Sequence, residues 1–136
     1  MTFVGFNLIK YVEAILSLYA TLVGALFLLS PEALGAAVYQ PWHDVGVCVW
    51  GGLLLFIGMG HASALWLNGR NPSVSRTVRA MASLAHFYVS LEFAGMFVMG
   101  GAIWGALTFG LLMPGLILPV MSRTIDDAKE ALHHGR

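Results

Sequence analysis

The stretch Ala80–Met121, AMASLAHFYVSLEFAGMFVMGGAIWGALTFGLLMPGLILPVM, decides the fold. Its 42 residues are interrupted only by His86 and Glu92. As one helix it would measure about 63 Å, twice the roughly 30 Å hydrocarbon core of a bilayer. Gly100-Gly101 near its middle is the natural hairpin and divides it into spans over 80–99 and 102–121. A rival division makes 72–92 a surface helix and 93–121 one long tilted span.

Charge separates the two divisions. Upstream, two further segments are long and apolar enough to cross: 4–29, ended by Ser30-Pro31-Glu32, and 45–67, ended by Asn68-Gly69-Arg70-Asn71-Pro72. With four spans, Lys10, Arg70, Arg76, Arg79, Arg123, Lys129 and Arg136 all fall on one side, and with three they split. The positive-inside rule favours four, with both termini cytoplasmic. Tyr39, Trp42 and Trp104 then fall at the outer interface, and Tyr11 and Trp66 at the inner one, as an aromatic belt requires. The expectation is an all-α membrane protein: a single domain over 1–136, four transmembrane helices in an up-down bundle. Residues 122–136 form a short polar tail, in which Ile125, Ala128 and Leu132 recur at helical spacing.

Composition agrees. Hydrophobic residues make up 58% of the chain and charged ones 10%, against roughly a quarter charged in soluble domains. Seven basic residues balance seven acidic ones, so no basic surface recommends nucleic acid. Cys48 is the only cysteine, which excludes an internal disulfide. The first segment has only Lys10 near its start and reads as a membrane helix, not as a cleaved signal.

Ionisable groups in hydrocarbon are costly and therefore informative. His61 lies six residues before Leu67 and His86 six after Ala80, each about 9 Å inside on adjacent antiparallel helices. Glu13 lies at comparable depth, Glu92 near the midplane, and Lys10 is shallow enough to snorkel. Lys10, Glu13, Ser17 and Thr21 share one face of the first span, and Arg79, Ser83, His86 and Ser90 one face of the third. If those faces point inward, they form a polar cluster with His61 in the cytoplasmic half. Glu92 sits about 120° round from His86, with Tyr88, Gly95 and Met99, and can address another subunit.

Four readings of these groups stay open. Glu13 can pair with Lys10 while His61 and His86 act as structural glue. The two imidazoles can ligate a b-type haem, with Gly58 and Gly60 leaving room for the macrocycle. Together with Glu13 they can hold a metal, or the carboxylates can serve a proton or cation pathway. Gly101-x-x-x-Gly105 matches a helix-packing motif, and Met113-Pro114-Gly115 predicts a kink in the fourth span. No catalytic constellation emerges: Ser63 near His61 has no acid partner, and Gly58-Met59-Gly60 lies in a membrane span, without a phosphate-binding context.

Arg70-Asn71-Pro72-Ser73, then Arg76 and Ser83-Leu84-Ala85-His86, resembles a pattern in small uncharacterised bacterial multi-pass membrane proteins over about 20 residues of the chain. That resemblance implies a prokaryotic inner-membrane protein and directs attention to His86. Size, span count and a carboxylate in the first helix are also similar to small multidrug transporters, but the rest of that pattern is absent. The functional expectation is an accessory or oligomerising subunit, its partners being the bilayer and copies of itself or other membrane subunits. A haem electron-transfer protein, and a proton-coupled transporter or holin-like pore, are the alternatives.

Overall fold

A computed structural model describes residues 3–35, 39–67 and 72–134. It is all-helical over those residues. Helix α1 spans Phe3–Leu29, and a 3-10 turn at Pro31–Leu34 leads on to the short helix α2, Gln40–Val45. Helices α3, Val47–Leu67, and α4, Pro72–Met99, follow. The last limb is α5, Ile103–Leu107, a π-helical turn at Thr108–Leu112, and α6, Met113–His134. Four stretches are long and apolar enough to cross a membrane: Leu8–Leu29, Val47–Leu67, Ser73–Met99 and Ile103–Ala131.

The hairpin expected at Gly100-Gly101 is present. Gly101 takes φ +74°, a left-handed conformation that glycine adopts without the Cβ penalty. The Ala102 N–H donates to Phe97 O at 2.8 Å and the Gly101 N–H to Val98 O at 3.1 Å, the paired bonds of a Schellman cap. The α4 helix therefore ends at Met99, and the chain doubles back.

Contacts fix the bundle. Helices α1 and α3 pack antiparallel at the closest range, because their contact line lacks side chains. A Cβ on Gly58 would stand 2.6 Å from Thr21 N, and one on Gly24 would stand 2.5 Å from Leu55 N. Such proximity lets backbones make van der Waals contact directly. It also lets Ser17 Oγ donate across to Gly58 O at 2.9 Å. Helix α4 runs antiparallel to both α3 and α6, so the molecule is an α1–α3 pair against an α4–α6 pair.

Two sequence expectations change. Trp42 does not anchor at the lipid interface: it is 1% exposed, with its ring 4.7 Å from Phe97 and 5.5 Å from Phe93. Helix α2 folds it into the open end of the bundle, where Phe27, Trp50, Phe93, Phe97 and Phe109 complete an aromatic plug. Trp66 and Trp104 are exposed as expected, at 78% and 79%. The polar tail is likewise no separate element. Helix α6 continues unbroken to His134, with Thr124 and Ala128 buried against the bundle.

Where Met113-Pro114-Gly115 predicts a kink, the structure has a π turn just before the proline. Pro114 has no N–H for Gly110, and its ring would press on that carbonyl in a regular α-helix. The Met113 N–H instead donates to Thr108 O, five residues back, which widens the turn just before the proline.

Candidate functional site

Three helices bring ionisable groups together at the end of the bundle that carries the termini. Glu13 on α1 is fully buried, and Arg79 on α4 is 3% exposed. The guanidinium grips the carboxylate through two bonds: Arg79 Nε to Glu13 Oε1 at 2.9 Å and Nη2 to Oε2 at 2.6 Å. A planar fork on a planar carboxylate is the strongest geometry that such a pair offers. It also joins the two helix pairs of the bundle.

The histidines flank this pair. His61 on α3 is fully buried, with Nε2 3.5 Å from Glu13 Oε1, at the outer limit of a hydrogen bond. Neither of its ring nitrogens makes a hydrogen bond among the described residues, the contact to Glu13 included. The His86 ring lies 5.4 Å from that of His61, inclined at 60°. Both nitrogens of His86 face carbonyl oxygens: Nδ1 that of Ala82 at 2.7 Å, Nε2 that of Leu16 at 3.2 Å.

Hydroxyl groups finish the cluster, each bonded close by. Ser83 Oγ donates to Arg79 O at 2.9 Å, Ser90 Oγ to Phe87 O at 2.7 Å and Ser75 Oγ to Ala64 O at 2.7 Å. Thr124 Oγ1 from α6 reaches Ser83 Oγ at 3.3 Å. The cluster draws on all four long helices and ends against the aromatic plug. Between the two lies a cavity of about 30 Å³, bordered by Tyr19, Val89, Ser90, Phe109 and Ile117. It has space for a water, but no room for a macrocycle.

The structure places Glu13, His61, Ser83 and His86 near one another, with Ser90 one turn beyond His86 and bonded within its own helix. Lys10 lies half-buried on α1, one turn before Glu13. The partner of Glu13 is not the Lys10 of the local pairing but Arg79, 66 positions away. In the sequence Arg79 belongs both to the inward stripe of α4 and to the charges at the end of the span, and the structure puts it in the stripe. Ser75 and Thr124 were missed altogether, since hydroxyls seldom stand out in a sequence.

Glu92 stands apart. It is half-buried on the outer side of α4, one turn after the exposed Tyr88. It lies seven residues before the end of α4 at Met99, about 10 Å inside.

The haem reading gains nothing from this geometry. Both His86 nitrogens already face carbonyls, and the space beside Gly58 is filled by the α1 backbone at Thr21. Among the described residues no group of three or more His, Cys, Asp or Glu side chains is arranged to hold a metal ion. The arrangement's evident chemistry is to hold opposite charges in a dry core and so fix four helices in one register. No protein-family profile, curated protein or solved structure matches the chain.

Proposed function

We propose that the chain is a self-associating subunit of a helical membrane assembly, in a bacterial inner membrane with both termini cytoplasmic. The observation that carries the reading is the Tyr88–Glu92 pair on the outer side of α4. A carboxyl group facing lipid about 10 Å inside a span is expensive, and such groups usually find a protein partner. Tyr88 is 58% exposed and supplies a donor, while Glu92 supplies an acceptor. Two copies related by a two-fold axis can therefore exchange these bonds reciprocally, tyrosine to glutamate in both directions. Gly95, one turn further on, would meet nothing within 4 Å if it carried a Cβ, so a second helix can approach closely there. Leu84, Leu91 and Met99 supply exposed apolar surface around the pair.

In this reading the buried cluster is the internal clamp that keeps the monomer rigid enough to present that face. Orientation follows from charge. With Arg79 drawn into the core, Lys10, Arg76, Arg123 and Lys129 still fall on the side of the termini. The test is cysteine crosslinking in membranes. In a Cys48→Ser background, Gly95→Cys gives a covalent dimer on mild oxidation and Gly52→Cys on the outer side of α3 does not. Equal or absent crosslinking at both sites overturns the proposed face.

A further inference from the structure

Neither the clamp nor the face for self-association accounts for the last limb, whose sequence repeats itself. Gly110-Leu111-Leu112-Met113-Pro114 is followed at once by Gly115-Leu116-Ile117-Leu118-Pro119, two pentapeptides of one pattern. Each proline lacks the N–H that a regular α-helix would give to the glycine four residues earlier. The two copies nevertheless fold differently. The turn leading to Pro114 is π-helical over Thr108–Leu112, whereas Pro119 sits inside the regular α-helix α6. Nearly one sequence thus adopts two geometries within one limb, so the two lie close in energy. A π turn inside an α-helix is a frequent mark of a functional segment.

One hydrogen bond separates the two geometries. The Met113 N–H donates to Thr108 O, five residues back, and α geometry would hand it to Phe109 O, four back. That exchange takes one surplus residue out of the turn and rotates the arm 103–112 by roughly 100° about the helix axis. The surplus passes into the Gly100-Gly101 hairpin, where Gly101 already takes a left-handed conformation. Below the turn, a Cβ on Gly115 would meet nothing within 4 Å, so the limb has room to bend there.

The arm carries Phe109. Its ring lies 5.4 Å from Phe93 and 5.4 Å from Phe97, and it borders the cavity that Tyr19, His86 and Ser90 also line. Rotation of the arm takes Phe109 off the plug. The cavity then joins the seam between α1 and α6, which touch over only a short stretch.

We infer that the last limb is a gate with two positions. In the closed one, seen here, the π turn precedes Pro114 and Phe109 sits in the plug. In the open one that turn is α-helical, and the cavity beside His86 opens along the seam between α1 and α6.

The test is 19F spectroscopy of the full chain in lipid nanodiscs, with every tryptophan replaced by 5-fluorotryptophan. Trp104 lies on the arm, Trp50 packs 5.5 Å from Phe93, and Trp66 lies at the far end of α3. The expected result for Trp104 and Trp50 is two resonances each, or one with millisecond relaxation dispersion, and for Trp66 one plain resonance. Ala94 and Gly110 supply a lock. A Cβ on Gly110 would stand 3.4 Å from Ala94 Cβ, close to the roughly 3.5–4.5 Å of a disulfide. In a Cys48→Ser background, the oxidised pair Ala94→Cys and Gly110→Cys shows the closed state alone, and reduction restores the exchange. Pro114→Ala removes the ring that opposes α geometry and raises the open population at least threefold. Plain single resonances for Trp104 and Trp50 overturn the inference, and so does exchange shared equally by Trp66. Exchange that survives the disulfide, a cysteine pair that does not close, or unchanged populations in Pro114→Ala overturn it as well.

Discussion

Arg79 reaches across the bundle to close a two-bond fork on Glu13, joining α4 to α1 between residues 66 positions apart. Neither helix can rotate or slide while that fork is made, because both partners are buried and a shift would strand a charge in an apolar core. The clamp makes a demand on variants that a surface ion pair would not.

Removing one partner leaves the other charged and unpaired. Arg79→Ala or Glu13→Ala alone is therefore expected to lower stability by about 3–5 kcal/mol, whereas a double replacement by Leu at position 13 and Met at 79 recovers most of it. Unfolding in mixed micelles of mild detergent and dodecyl sulfate measures this. A double variant as unstable as the worse single one would show that the pair is not the unit of stability.

The α1–α3 contact makes a second demand. Gly58→Ala places a methyl group against the Thr21 backbone and pushes Gly58 O away from Ser17 Oγ, so a loss of about 1–3 kcal/mol is expected. Gly52→Ala on the outer side of the same helix meets nothing and stays within about 0.5 kcal/mol, or gains slightly from helix propensity. The same micelle titration compares the two, and equal effects would contradict the close packing of α1 on α3.

Helix α6 beyond Met121 belongs to the fold. Thr124→Val removes the bond to Ser83 and is expected to lose about 1 kcal/mol. Ending the chain after Met121 removes the buried Thr124 and Ala128 as well and lowers the melting temperature further, read by size-exclusion after heating. An unchanged melting temperature would make the segment an appendage.

Optical spectroscopy addresses the histidines. Because both His86 nitrogens face carbonyls, protein expressed with ample haem is expected to lack a Soret band and reduced α and β bands. A bis-histidine spectrum lost in His61→Ala or His86→Ala would require the Leu16 and Ala82 contacts to open.

Much of this was legible in the sequence, for identifiable reasons. Lengths of apolar sequence, the charge asymmetry and Gly100-Gly101 point to four spans because bilayer thickness and backbone geometry leave few options. Helical spacing alone aligned Glu13 with Ser17 and Arg79 with Ser83, His86 and Ser90. Rotation toward the core and the choice of partner were not legible, since periodicity marks a polar stripe without saying what faces it. Arg79 thus stood both in a polar stripe and among the charges at the end of the span. Trp42 passed for an interfacial anchor, because nothing local says that α2 turns inward. The continuation of α6 beyond Met121 to His134 was not legible either, since the polar composition of that segment does not say that it stays packed on the bundle.

The most direct test of the central claim is the mass of the assembly released from native-composition vesicles, by native mass spectrometry, for the parent chain and for Glu92→Leu. The account predicts a defined homo-oligomer of the parent chain and a folded monomer for Glu92→Leu, the clamp at Glu13 and Arg79 being untouched. A parent chain that leaves the bilayer as a monomer, or a Glu92→Leu chain that assembles as the parent does, would contradict it.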